Sequence, residues 1–233
     1  YLADMITSGE IAPSRTEEFV SVMTGALAGL GQVAGLSFIS PTGEVLRVSR
    51  RTRKMKRANW GDDPQTRAII ADARTRKTGY WGEFFFAEST RTTLLNYRTP
   101  VWRNERFQGI LVAVVSTASL SDFIVRTSAQ HARNTFILYG PDQVLAHLPS
   151  GAPQPELSDR APLPRLDQVG NPVLSHLSAA ADLRRALRNA SAVPENRTVS
   201  LGPETHVVSY RRLDGYGRIP WIVGFSLPNS DIH

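Results

Sequence analysis

The chain has 233 residues, 41% hydrophobic and 21% charged, which suits one large or two small folded domains and argues against a disordered polymer. It contains no cysteine, so disulfides, thiolate zinc sites and cysteine nucleophiles are excluded. The net charge of +6 comes almost wholly from arginine, and no apolar run reaches the ~18 residues that cross a bilayer.

In chain order, the first segment predicts a helix ending at Gly31. Pro13-Ser14-Arg15-Thr16-Glu17 supplies N-cap candidates with acid in the first turn, and Phe19, Val20, Met23, Leu27 and Leu30 recur at helical spacing. Leu36 to Val48 predicts a hairpin turned by Pro41-Thr42-Gly43. The basic run Arg50-Arg51-Arg53-Lys54-Lys56-Arg57 and the following Asn59-Trp60-Gly61 read as loop. Asp63-Pro64 opens a short helix with Ile69, Ile70 and Ala73 on its apolar side. Tyr80 to Phe86, Thr92 to Val101 and Gln108 to Val115 predict strands, the last two joined by a turn at Arg103-Asn104-Glu105-Arg106. Leu120 to about Arg133 predicts a linking helix.

The second half opens with a hairpin from Thr135. A proline- and glycine-rich surface loop is expected from Pro149 to Pro172, then a helix from Ser178 to Asn189. Thr198 to Leu201, Thr205 to Leu213 and Trp221 to Leu227 close the chain as strands, with a turn at Asp214-Gly215-Tyr216-Gly217. Much of this repeats the first half. Phe38-Ile39 leading to Val45-Leu46 recurs as Ile137-Leu138 leading to Val144-Leu145, and Tyr97-Arg98 leading to Ile110-Leu111-Val112 recurs as Tyr210-Arg211 leading to Ile222-Val223-Gly224. Two copies are too few for a solenoid, so the pattern predicts an α+β protein with two tandem modules, each an antiparallel sheet flanked by helices. The expected divisions are an N-terminal helix at 1–32, a first module at 33–125 and a second at 126–233.

No catalytic constellation is legible. His-Glu-x-x-His, Gly-x-Ser-x-Gly, P-loop and Gly-x-Gly-x-x-Gly patterns are all missing. Histidines 131, 147, 176, 206 and 233 never pair at metal-ligand spacing, and Asp63 before Pro64 reads as a helix cap. The expectation is a binding module without metal or cofactor. Two alternatives stand beside it: a polyanion- or nucleic-acid-binding protein using the basic run at 50–57, or a secreted hydrolase. Against the first, the run carries no interleaved aromatics and no nucleic-acid-binding motif.

Four segments carry a resemblance: Asp63-Pro64-Gln65-Thr66-Arg67, Tyr80-Trp81-Gly82-Glu83-Phe84, the passage Gly109 to Leu120, and Trp221 to Ile232. In their order and spacing the chain resembles the double Cache sensor domain of bacterial transmembrane receptors, over nearly its whole length. The resemblance implies a long N-terminal helix and two PAS-like modules, with a small ligand held in the first, membrane-distal module. It also implies a periplasmic or extracellular domain of an inner-membrane protein, flanking membrane helices outside this fragment, pairing through the N-terminal helix, and no nucleic-acid partner. Outputs of such receptors include methyl-accepting, histidine-kinase, diguanylate-cyclase and adenylate-cyclase modules, none of which this sequence contains.

Departures from the family shape the expected ligand. Amine-recognising members carry Trp-Tyr where Ile69 and Ile70 stand here, and an aspartate where Val114 stands. A small organic carboxylate or apolar ligand is therefore expected rather than a free amino acid. Its candidate contacts are Arg67 as an anion clamp, with Ile69, Tyr80, Trp81, Phe84, Asn96, Arg98, Val114 and Ser116. Each has a plainer reading. Arg67 serves equally as a solvated helix arginine, alternating strand aromatics cannot all face one side, and Ser116 suits a helix cap. The second Tyr-Arg at 210–211 argues that Tyr97-Arg98 is partly structural.

Overall fold

The computed structural model describes residues 1–52, 54–128, 134–148, 151, 155–178, 182–188 and 193–231. The chain divides into two compact units, the first made of residues 1–84 and 94–119, the second of 85–93 and 120–233.

In the first unit the N-terminal helical segment is broken. α1 (Leu2–Ser8) ends at Gly9, whose φ of 83° is left-handed, and α2 (Thr16–Gly29) follows. α2 buries Phe19, Met23 and Leu27 against the hairpin of β1 (Val33–Ile39) and β2 (Glu44–Ser49), where the Phe19 and Phe38 rings meet edge-on at 5.4 Å. The basic run departs from the expected loop. Its second half forms β3 (Met55–Asn59), an exposed strand paired with β2, where charged side chains discourage further strand addition. Its first half closes a helix end: the Arg50 guanidinium donates to the carbonyls of Leu27, Leu30 (2.6 Å) and Val33 (2.9 Å).

α3 (Pro64–Arg74) starts where Asp63 and Pro64 predict, with the Asp63 carboxylate accepting from the Thr66 N–H and hydroxyl at 2.7 Å each. Those bonds hold the Asp63 pKa below its ordinary value. The strand expected from Tyr80 to Phe86 is interrupted at Gly82-Glu83-Phe84, leaving β4 (Tyr80–Trp81) and β5 (Phe85–Ala87). β6 (Thr92–Arg103) and β7 (Arg106–Ser116) form the long hairpin. Asn104 and Glu105 take φ of 47° and 61°, the type I′ geometry that matches strand twist. The strand order is β3-β2-β1-β7-β6-β4.

α4 (Thr117–Ser128) follows. The part of that helix expected beyond Ser128 lies outside the described residues, as do Arg53, His131, Arg133, Ala179 to Ala181, Asn189, Ile232 and His233. The second unit carries β8 (Asn134–Tyr139), β9 (Gln143–His147), α5 (Pro172–Ser178), α6 (Asp182–Arg188), β10 (Glu195–Leu201), β11 (Glu204–Leu213) and β12 (Trp221–Pro228), in the order β10-β11-β12-β8-β9. The segment expected as surface loop is partly core: Leu163, Leu166 and Val169 are buried, with a short 3-10 turn at Leu166–Gln168. Proline and glycine mark chain reversal but do not exclude anchoring side chains.

The duplication is topological. In each unit the hairpin's first strand pairs with the last strand of the β6–β7 or β11–β12 ribbon, so β2-β1-β7-β6 and β9-β8-β12-β11 are the same arrangement.

Candidate ligand-binding site

Directly paired residues of an antiparallel sheet project to the same face. Register therefore assembles rows that run across the first sheet. One row reads Ala58, Val45, Ile39, Ile110, Pro100, and α3 covers this end with Ile70 and Ala73. The adjacent row on the same face reads Lys56, Arg47, Ser37, Val112, Arg98, Tyr80. The third reads Ser49, Gly35, Val114, Asn96, and the Gly82 N–H donates to the Asn96 carbonyl at 2.8 Å. The floor is small and apolar: Ser37, Val112 and Val114 are 6%, 4% and 7% exposed.

Polar groups rim this floor. The Asn96 Oδ1 and the Tyr80 hydroxyl are buried, and neither has a hydrogen-bond partner of normal geometry among the described residues. Buried polar atoms are ordinarily satisfied, so the Asn96 Oδ1 requires a reason, whereas the Tyr80 hydroxyl has the Asp72 carboxylate and the Arg98 guanidinium as neighbours. Burial pushes the Tyr80 pKa up, the neighbouring Asp72 carboxylate adds to the rise, and Arg98 opposes it. Asp72 is committed to Arg76, which donates from Nε at 3.1 Å and lies with its Cζ 4.2 Å from the Tyr80 ring centroid. The Arg76 bond holds the Asp72 carboxyl below its ordinary range. The Arg98 guanidinium lies over Gly82: a Cβ added there would meet its Cζ and Nη2 at 2.7 Å. Glycine at 82 leaves room for the cation in this place.

The structure gathers Tyr80, Asn96, Arg98 and Val114 on this face. Ile69 packs, half-buried, against the apolar cluster beneath α3. Trp81 is paired with Tyr97, stacks on it edge-on at 5.0 Å and belongs to the opposite face. Phe84 sits half-buried in the break between β4 and β5. Arg67 is exposed and turned back on its own loop, donating to the carbonyls of Asp62 (3.0 Å) and Gly61 (3.4 Å). Ser116 caps α4, accepting from the Ser119 N–H at 2.9 Å and bonding the Ser119 hydroxyl at 2.8 Å. Sequence reasoning missed Ser37, Arg47 and Val112. Ser37 and Arg47 were nonetheless visible as lone polar residues inside the strands Val33–Ile39 and Glu44–Ser49, on the phase of the buried Ile39 and Val45.

The second unit repeats the face and closes it. Pairing Ile39 with Val45 and Ile110 in one unit matches pairing Leu138 with Val144 and Ile222 in the other. Counting outward by register, Phe136 takes the place of Ser37, Gly224 of Val112, Tyr210 of Arg98, Val208 of Asn96 and Ser226 of Val114. The structural counterpart of Tyr210 is thus Arg98 and not Tyr97, one residue from the sequence match. Phe136, Val208 and Tyr210 are 2%, 0% and 1% exposed in a core completed by α5 and α6. The Phe136 ring lies over Gly224, where an added Cβ would meet its Cζ at 2.5 Å.

No protein-family model matches the chain, and no curated protein matches it. Solved structures do. The ligand-binding domain of the Campylobacter jejuni chemoreceptor Tlp3, in complex with 4-methylisoleucine, has a TM-score of 0.60 at 12% identity, covering 100% of this chain and 82% of that one. The ligand-binding domain of the Pseudomonas aeruginosa amino acid chemoreceptor PctC, in complex with GABA, has a TM-score of 0.51 at 18% identity, covering 97% and 94%. That of the Pseudomonas fluorescens chemoreceptor CtaA, in complex with L-leucine, has 0.54 at 16%, covering 98% and 83%. The fold of this chain is the fold of these sensory domains. Among the described residues no helix is long and apolar enough to cross a membrane, and no cluster of metal-ligating side chains occurs.

Proposed function

We propose that this chain is the extracytoplasmic sensing domain of a transmembrane receptor and that it binds a small organic carboxylate on the α3 face of its first unit. The observation that carries the reading is the contrast between the units. The same sheet face is filled by Phe136, Val208 and Tyr210 in the second, whereas the first carries Ser37, Asn96 and Arg98 at the corresponding places. Its fold likeness to chemoreceptor sensory domains supports the reading. Arg98 offers a bidentate donor fork to a carboxylate, and Asn96 completes its hydrogen bonding when a ligand arrives. Val114 and the pairing of Asp72 with Arg76 leave little to hold an ammonium, which separates the expected ligand from a zwitterion.

In this proposal the domain does no chemistry. The ligand favours one closure of α3 over the sheet, and the shift in population is relayed through α4 and the second unit to β12. The intact receptor is a homodimer of an inner-membrane protein, paired through the N-terminal helices, with its output on the cytoplasmic side. The division of labour, 33–125 sensing and 126–233 relaying, belongs to the same proposal. The polyanion alternative is weakened because Arg50 and Arg57 of the basic run are engaged at α2, Arg57 donating to Thr16 at 3.2 Å.

The test is a thermal-shift screen of carboxylates on the whole domain, followed by calorimetry on wild type and Arg98→Gln. Saturable binding lost in the variant is expected. Binding that survives Arg98→Gln, or that requires a ligand ammonium, removes the assignment.

A further inference from the structure

The row that contains Arg98 holds a second arginine with no hydrogen-bond or ion-pair partner among the described residues. Arg47 stands opposite Ser37 on β2, on the same face and in the same row as Arg98. Three strand spacings separate them, about 14 Å between backbones, and between them lie only Ser37 and Val112, both buried. Arg47 is half-buried and makes no hydrogen bond or ion pair among the described residues. Lys56 extends the row on the far side. The strand positions of the two polar rows hold these three cations and no carboxylate. Asp72, the acid beside Arg98, is occupied by Arg76.

Two arginines in one row of a sheet face raise its positive charge, and a half-buried cation without a counter-charge is costly. A monocarboxylate on Arg98 leaves Arg47 uncompensated. A ligand with an acid at each end, bridging the Ser37–Val112 floor, satisfies both arginines.

Resting on the reading above that this face binds a carboxylate, we infer that the ligand is a short dicarboxylate, held by Arg98 at one end and by Arg47 at the other. Ser37 supplies a hydroxyl between them. Arg47 is then the residue that distinguishes a diacid from a monoacid.

The experiment is isothermal titration of the 233-residue domain at neutral pH with matched acids: butyrate against succinate, and pentanoate against glutarate. Each diacid is expected to bind at least about tenfold more tightly than its monoacid, roughly the worth of one charge-assisted contact. Arg47→Gln should erase that preference, and Arg98→Gln should abolish binding of both acids. A urea midpoint unchanged in Arg47→Gln excludes a folding defect. If diacids bind no better than monoacids, or the preference survives Arg47→Gln, the diacid inference falls and the carboxylate reading stands. If no acid binds, both fall.

Discussion

Replacing Asn96 by leucine sets stability against function at one atom. The two side chains are similar in size and branching, so the change removes polarity with little change in packing. The Asn96 Oδ1 is buried without a partner in the free protein. Burying an unpaired amide costs about 1–3 kcal/mol in protein mutational data. The rest of the side chain is only half-buried, which argues for the lower part of that range, about 1–2 kcal/mol recovered on substitution. With urea m-values of about 1–3 kcal/mol/M, the midpoint should rise by roughly 0.5–1 M. The apparent Tm should rise by about 3–6 °C. Three of the four tryptophans, Trp60, Trp81 and Trp102, lie in the first unit, so fluorescence-detected urea unfolding weights its transition. The same variant should lose carboxylate binding. A lower midpoint for Asn96→Leu would show that the amide is already satisfied in the free protein, and the argument for a ligand-awaiting group would collapse.

Gly82→Ala should displace the Arg98 guanidinium and weaken carboxylate binding about tenfold or more with the first unit still folded; calorimetry at full affinity in this variant would contradict the placement of Arg98. Arg50→Ala removes three donated bonds at the end of α2 and should destabilise the first unit by about 1–2 kcal/mol, discounted for partial exposure; heparin retention should change no more than loss of any single surface charge. His147 is buried, and burial pushes its pKa below the ordinary histidine value, outweighing its 2.7 Å bond to the Leu148 carbonyl. The unfolded chain therefore takes up the proton first: the contribution of neutral His147 is complete above about pH 6.5 and is lost as pH falls through the lower folded value. Urea midpoints at pH 7.5, 6.5 and 5.5 should fall more steeply in wild type than in His147→Gln, and parallel curves would refute the shift.

Much of the fold was legible because it is local. Asp63-Pro64 starts α3 through a cap and a fixed φ, alternation marks β1, β2, β6 and β7, and Arg103 to Arg106 turns where predicted. The misreadings came where distant contacts decide. Lys56 and Arg57 look like loop until β2 offers them a ladder, and Leu163, Leu166 and Val169 look like surface until the second core takes them in. Of the residues that share the candidate face, Tyr80, Asn96, Arg98 and Val114 were named from sequence. Arg67, expected as the anion clamp, instead bonds the loop before its own helix.

The sequence by itself determined most of the elements, the duplicated hairpins and the absence of thiol chemistry, since these depend on composition and on neighbours along the chain. Tertiary structure alone decided which residues share a face. Lys56, Arg47, Ser37, Val112, Arg98 and Tyr80 come from six strands, and only register aligns them. A slip of one residue moves every side chain of a strand to the opposite face, because the strand period is two. That is why Tyr210 answers to Arg98 and not to Tyr97, and why one copy of the repeat packs aromatic residues where the other carries two arginines in the corresponding row.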